Sequence, residues 1–418
     1  MERMYLCIDL KCFFASVECV SRNLDPFTSN LVVADPSRGN GAICLAISPS
    51  MKKLGIKNRC RLFEIPKNVE YITAMPRMKE YIKYSANIYA IYLKYVSAED
   101  ILVYSIDECF LDVTSYLKLY NLTAKQLAKR IIDDVYKTTN ICATVGIGTN
   151  LFLAKVALDV TAKHTSDNMG YLDEQSFKKE IWHHKPITDI WNIGRGIAKR
   201  LEKYNAYDLY DVAHMDEKVL YKEFGVNAEF LIDHSKGIEP CTIKEIHSYK
   251  AKSNSMSNNQ ILFEDYKYED AFLILKEMVE VNVLDLVDKN LVTNVISLHV
   301  GYSKDVIKPT CVSMKLDEYT NSYAKLNEYF IRLFNKNVDK YHMIRRMGIS
   351  FGNVVDEMYK TINLFTDVEA EEKERKVQKA ILEIKHKYGK NSILKAMNLQ
   401  EKATTRKRNK LVGGHNGE

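Results

Sequence analysis

Two adjacent acids, Asp107 and Glu108, interrupt a largely apolar run that extends from Ile101 to Val113. The segments on either side, Ile101 to Ile106 and Cys109-Phe110-Leu111-Asp112-Val113, read as two strands, which puts the acids at the bend of a β-hairpin. A third acid has a similar setting, because Tyr5-Leu6-Cys7-Ile8 is a short apolar strand candidate that delivers Asp9 at its C-terminal end. Ala143 to Gly148 is another strand candidate. The helix expected before it has Thr123 as its N-cap and Leu127, Ile131 and Val135 at helical spacing. Strand, helix, hairpin, helix and strand in that order predict an α+β sheet domain with helices packed on one face.

Three carboxylates at strand ends of one sheet repel one another, and their pKa values rise unless cations neutralise them. Hard oxygen donors suit Mg²⁺, which a few carboxylates hold together with substrate phosphates. The chemistry expected is phosphoryl or nucleotidyl transfer with two ions, one activating a hydroxyl and one clamping a triphosphate. A single Asp at a strand end is more often a turn or cap residue, so the three acids carry weight only together.

Composition limits the alternatives. With 418 residues, 46% hydrophobic and 27% charged, the chain buries a core and divides into two to four domains, which excludes disorder throughout. No apolar run approaches the roughly 18 to 20 residues that cross a bilayer. The nine cysteines are odd in number and form no close CxxC pair, so they are expected to be reduced, in a soluble, cytoplasmic chain with no membrane partner. The histidines show no metal-ligand spacing; His183 and His184 are adjacent and diverge. The net charge of +6 is mild, but from Lys360 onward 14 Lys+Arg face 8 Asp+Glu, so the tail carries the whole excess. Its run Arg406, Lys407, Arg408 and Lys410 suits phosphates and equally a solvated, disordered end.

Between the strand candidates, residues 11–78 hold the turn-rich Asp35 to Gly41 and the basic Lys52 to Arg61, which fits a small inserted subdomain. Helical composition begins near 171, and Ile193-Gly194-Arg195-Gly196-Ile197-Ala198 reads as a glycine turn that lets backbone amides approach a phosphate, or as an ordinary break between helices. Residues 248–260 are rich in Ser, Asn and Lys and compose like a linker. Glu269 to Val279 is a helix candidate. Val292, Asn294, Ile296, Leu298 and Val300 share one side of a strand, and Met347, Ile349 and Phe351 alternate likewise. A charged helix carries the apolar stripe Val377, Ile381, Ile384 and Tyr388, ends at Gly389, and has the pairs Glu369/Lys373, Glu371/Arg375 and Glu372/Lys376.

These segments together resemble the Y-family translesion DNA polymerases of the bacterial type, across nearly all of residues 1–356. Asp9-Leu10-Lys11-Cys12-Phe13-Phe14-Ala15-Ser16-Val17-Glu18 looks like the family's first motif, and Ser105 to Asp112 like its second. Val145-Gly146-Ile147-Gly148-Thr149-Asn150 with Ala154-Lys155 looks like its third. The resemblance implies a right-hand polymerase with palm at 1–10 and 79–170, fingers at 11–78, a helical thumb at 171–242, a little finger at 248–356 and a C-terminal tail at 357–418. It moves the linker to 241–250 and makes Ser253 to Ser257 the first little-finger strand. It also implies error-prone, template-directed addition of deoxynucleotides to a primer 3′ end.

By the same resemblance two Mg²⁺ ions are held by Asp9, the Leu10 carbonyl, Asp107 and Glu108. Phe13 and Phe14 floor the sugar pocket, Phe14 acts as the gate against a ribose 2′-hydroxyl, and Lys52 and Lys163 hold the triphosphate. Lys52 stands where many members have Arg and Pro49 where they have Tyr, so Arg59 or Arg61 can share that grip. Cys12 replaces a common aromatic, and Asn192 replaces the first glycine of the usual hairpin. Gly194, Gly196, Ser253 and Ser255 are the implied DNA contacts. Ile362, Leu364 and Phe365, within Thr361 to Phe365, resemble a sliding-clamp peptide without its leading Gln. The implied partners are primer-template DNA, dNTP and the clamp, and the implied state is a monomer. The competing readings are a template-free palm-type nucleotidyl transferase such as a cyclase, and an inactive scaffold that binds damaged DNA.

Overall fold

The computed structural model describes residues 3–251, 253–362 and 366–417. The chain divides between Tyr249 and Lys250 into two compact units.

In the first unit, five strands form one sheet in the order 101–103, 108–112, 5–10, 143–148, 169–172. The pairings are antiparallel apart from the last. Leu6, Ile8, Leu10, Leu111, Val145 and Ile147 alternate onto one face, where they join the buried sides of the helices Met78–Tyr92 and Ala124–Thr139. Leu127, Ile131 and Val135 are fully buried there, and Thr123 Oγ1 accepts the Gln126 amide at 3.2 Å. Helices cover the opposite face as well, which corrects the one-face expectation. The helix Leu151–Val156 and the π-turn Ala157–Thr161 lie against Tyr5, Cys7, Phe110, Gly146 and Gly148. This close approach needs glycine, since a Cβ on Gly146 would lie 2.0 Å from the Ala154 carbonyl oxygen and one on Gly148 2.2 Å from the Ala154 nitrogen.

A smaller three-stranded sheet (31–33, 46–47, 72–74) has its own core around Val32, Ile47, Met51 and Ile65. Short helices from Glu174 to Ser248 enclose Phe177, Ile190, Leu201, Leu220 and Ile232. The expected linker at 241–250 contains one of them, Ile243–Ser248, capped by Thr242.

The second unit is an antiparallel sheet in the order 310–320, 291–302, 344–352, 256–266, with the helices Tyr268–Asp288 and Tyr323–Asn337 packed on one face. Val292, Ile296, Leu298, Val300, Met347, Ile349 and Phe351 are buried as their alternation predicts. The first strand starts at Met256, so Ser253 and Ser255 precede it instead of lying within it. The helix Val368–Tyr388 ends at Gly389, whose φ is +94°, but the predicted apolar stripe is not its packed face. Val377 is 53% and Tyr388 67% exposed, while Gln378 is buried. Leu382, outside the predicted stripe, packs against the core, and the first half of the helix is received by polar groups: Lys325 and Lys360 pair with Glu371 at 2.8 and 2.7 Å, Ser322 Oγ donates to Glu374 at 2.8 Å, and Glu357 takes Arg375. Glu371 and Arg375 therefore bond to this surface and not, as expected, to each other. Nor is the basic end a loose one, since Thr404 and Thr405 are buried. Among the described residues no helix is long and apolar enough to cross a membrane.

Candidate active site

Strand pairing brings the three acids together. Asp9 stands directly opposite Glu108, so both side chains leave the same face of the sheet, and the Leu10 amide donates to the Asp107 carbonyl at 3.0 Å. On that face Cys7 is two residues from Asp9, and Thr144 is its partner on the other side.

The Glu108 and Asp107 side chains are held by protein donors. Lys155 Nζ lies 2.7 Å from Glu108 Oε1 and 3.0 Å from Asp159 Oδ2, and the Cys7 thiol donates to the same Glu108 oxygen at 3.2 Å. Asp159 also takes Lys163 at 2.8 Å, and Asp107 accepts from Ser105 Oγ at 2.6 Å. Among the described residues no three His, Cys, Asp or Glu side chains form a ready-made metal cage. The three acids are adjacent in backbone, and Glu108 and Asp107 take separate donors.

Burial, and then the charges of Asp107 and Glu108, push the Asp9 carboxyl up to about 7, against the pull of Lys163 and Lys155. Burial also pushes the Cys7 thiol well up, so it is a neutral donor. The Thr144 hydroxyl, opposite Asp9, is buried without a hydrogen-bond partner. An all-oxygen donor set, mutually repelling acids and an unused buried hydroxyl beside them fit a hard divalent cation. Asp9, Asp107 and Glu108 are the side chains that would hold it.

Beside the acids, the tight turn through Cys12 (φ +50°) opens the helix Phe13–Val20. Phe13 is core, whereas Phe14 is half-buried and stacks on Tyr81 with ring centroids 4.5 Å apart. Tyr81 donates to Glu18 at 2.8 Å, and Glu18 is clamped by Arg77 at 2.9 and 3.0 Å and by Arg22. Lys52 is exposed on the helix Pro49–Lys53, whose cap is Ser48 Oγ, and its ammonium approaches the Cys12 thiol.

Gly194 and Gly196 are exposed at the start of the helix Arg195–Leu201, and a Cβ on either would meet nothing. Asn192 takes the positive φ (+67°) that a glycine would otherwise supply. Ser253 and Ser255 are exposed. Ile362 is 64% exposed, just after Thr361, whose amide donates to the Tyr319 carbonyl at 3.0 Å; Leu364 and Phe365 lie outside the described residues.

Sequence reasoning quoted Lys155 and Glu18 only as motif letters and missed Cys7, Arg77, Tyr81 and Asp159 as site residues. The available signal was burial: Glu18 and Lys155 are charged residues inside apolar helical stretches, which is tolerated only with partners.

The chain matches the model of the impB/mucB/samB family over residues 8–159 and that of the family's C-terminal domain over 253–364. It is 31% identical over 414 residues to UvrX of Bacillus subtilis (strain 168), named for UV-damage repair, which covers 98% of this chain and 97% of that one. DNA polymerase IV 2 of the same organism is 28% identical, with 99% of each chain covered. Two solved structures share the fold: a Dbh-based Y-family DNA polymerase chimera (TM-score 0.65, 21% identity, 84% of this chain and 99% of that one) and a Dbh ternary complex (TM-score 0.53, 20% identity, 84% and 99%). Likeness to UvrX from end to end, with family models falling on both units, makes this chain a member of the Y family of translesion DNA polymerases.

Proposed function

We propose that the chain carries out error-prone, template-directed translesion synthesis, adding deoxynucleotides to a primer 3′ end by two-metal nucleotidyl transfer. The observation that carries this reading is the pairing of Asp9 with Glu108 across two strands, beside Asp107. Two bound Mg²⁺ ions would supply Lewis-acid activation of the primer hydroxyl and neutralisation of the triphosphate. Asp9, Asp107, Glu108 and the Leu10 carbonyl would hold them. The primer oxygen bonds to the α-phosphorus of the dNTP, and the bond to the β-phosphate bridging oxygen breaks, releasing pyrophosphate.

In this reading the first unit supplies palm, fingers and thumb (1–10 with 79–170, 11–78 and 171–242), and the second the little finger, 248–356, followed by the tail. Phe14, braced by Tyr81, excludes a ribose 2′-hydroxyl, and Lys52 and Lys163 hold the triphosphate. Gly194, Gly196, Ser253 and Ser255 meet DNA phosphates. Ile362, Leu364 and Phe365 dock on a sliding clamp, and the enzyme works as a cytoplasmic monomer.

Primer extension tests the reading. Asp107→Ala or Glu108→Ala should abolish synthesis and leave primer-template binding nearly intact, because phosphate contacts elsewhere hold the DNA. Activity within about tenfold of the parent in either variant would overturn the assignment.

A further inference from the structure

The basic run near the C-terminus lies beyond residue 364, where the family's C-terminal model stops, and the catalytic scheme does not use it. In the structure it is clasped. Glu277, buried in the helix Tyr268–Asp288, accepts from the Thr404 amide at 2.7 Å, the Thr404 hydroxyl at 3.1 Å and the Thr405 amide at 3.3 Å. Glu280 accepts from Asn398 at 3.2 Å, and the Tyr266 hydroxyl donates to the Lys402 carbonyl at 3.2 Å. A buried carboxylate is costly unless hydrogen-bonded, so helix and tail are committed to one geometry.

That geometry lays the cations along the sheet edge formed by the strand Met256–Tyr266. Arg408 donates to Asn258 at 2.9 Å, and Lys402 pairs with Glu264 at 2.6 Å. Along this strand Asn258, Gln260 and Leu262 turn inward, while Ser257, Asn259 and Ile261 turn outward, Ile261 being 71% exposed. Lys407 Nζ lies 5.5 Å from the centroid of the Phe263 ring, also on the outward side, so the tail reaches round the edge to the open face. The open face carries a shallow depression of about 280 Å³ whose lining includes Ser257, Asn259, Ser297, Ser313 and Ser350 together with the paired His299 and Cys311. Arg406, Lys407 and Lys410 are exposed, and among the described residues none pairs with a carboxylate.

A shallow polar floor without acidic side chains, on a sheet whose edge strand is bound by a segment carrying exposed cations, is complementary to a polyanion of fixed shape. We propose that this C-terminal strap is a basic wall on the edge of the second unit's sheet and holds the phosphate backbone of duplex DNA through Arg406, Lys407 and Lys410. The inference rests on the proposed reading of the second unit as a little finger that contacts DNA.

The test uses the full chain, a fluorescein-labelled primer-template duplex and anisotropy between about 50 and 200 mM salt. R406A/K407A/K410A leaves Glu277, Thr404, Thr405 and Arg408 in place, so its melting temperature should match the parent's. Its Kd should rise at least about tenfold, and the slope of log K against log salt should fall by about two to three. Lys407→Glu, one change on an exposed side chain, should weaken binding in the same direction if the triple variant is poorly folded. Ser297→Asp with Ser313→Asp tests the floor independently. Weakening in both sets supports the wall. Weakening in the floor variant alone overturns the wall and keeps the sheet, no change in either overturns both, and weakening in the strap variant alone overturns their being one surface.

Discussion

Lys155 Nζ lies 2.7 Å from Glu108 Oε1, the same oxygen that receives the Cys7 thiol at 3.2 Å. No hydrogen bond to Oε2 comes from the described residues, so the pair pins one oxygen of a candidate metal ligand and leaves the other for the ion. The arrangement follows from Gly146 and Gly148, which let the Leu151–Val156 helix lie against the sheet at backbone distance and bring Lys155 over Glu108.

Lys155→Met should therefore impair both fold and chemistry. Breaking a buried pair costs about 3 to 5 kcal/mol, and a swinging Glu108 should lower the extension rate about 100-fold. Lys155→Arg should recover most of the stability. Thermal unfolding with and without Mg²⁺ separates the two roles, because a cation restores the missing positive charge and should stabilise the Met variant more than the parent. Parent-like stability and activity in Lys155→Met would mean that the contact does not position Glu108.

Asp9 sets a pH dependence. Its carboxyl stands at about 7 in the folded chain against an ordinary 3.8, because of burial and the neighbouring acids. Between those values the folded chain keeps a proton that the unfolded chain has released, so this group's contribution to stability falls as pH rises from about 4 to 7 and is level above, at up to about 1.4 kcal/mol per pH unit. Mg²⁺ needs the ionised form, so the melting-temperature gain from Mg²⁺ should grow from pH 5 to pH 8. Asp9→Asn should flatten both trends. A gain from Mg²⁺ that is equal at pH 5 and pH 8 would contradict the coupling of Asp9 to the ion.

Local pattern carries one part of this structure and tertiary choice the other. Asp9 at a strand end and Leu127, Ile131 and Val135 on one helix face were legible because each needs only the strand or helix period. The Lys155–Glu108 contact was not, since it depends on two glycines in a third segment. The stripe Val377, Ile381, Ile384 and Tyr388 shows why periodicity can mislead: it finds an amphipathic helix, but Val377, Ile384 and Tyr388 are exposed, while Leu382 meets the core and Lys325, Ser322 and Glu357 bind the charged side. The basic run at 406–410 read as a loose end because nothing local reveals that Glu277, more than a hundred residues earlier, binds Thr404 and Thr405.

Phe14 and Tyr81 give a prediction about sugar choice. Phe14→Ala removes the ring that stands where a 2′-hydroxyl would sit, so discrimination against ribonucleotides should fall far more than deoxynucleotide incorporation. Tyr81→Leu removes the stacking ring at 4.5 Å and leaves Glu18 short of a donor, and it should loosen the gate to a smaller degree. The readout is the ratio of kcat/KM for dNTP over rNTP on one primer-template. An unchanged ratio in Phe14→Ala would make that residue core packing.

The chain between Thr361 and the Val368–Tyr388 helix carries the proposed clamp contact. Thr361 is fixed to Tyr319 by two backbone-region hydrogen bonds, its amide to the Tyr319 carbonyl and the Tyr319 amide to its hydroxyl, each 3.0 Å. Ile362 follows directly and is exposed, so an apolar anchor leaves the body of the unit at a defined point. Leu364→Ala with Phe365→Ala should abolish stimulation of primer extension by a sliding clamp, since losing two anchors at about 1 to 2 kcal/mol or more each, out of roughly 8 kcal/mol for a micromolar peptide, weakens binding about 30-fold or more. Ile362→Ala alone should weaken the stimulation in part. A clamp titration against each variant measures this, and full stimulation of the double variant, or loss of its clamp-free synthesis and solubility, would show that these side chains serve the body of the protein instead.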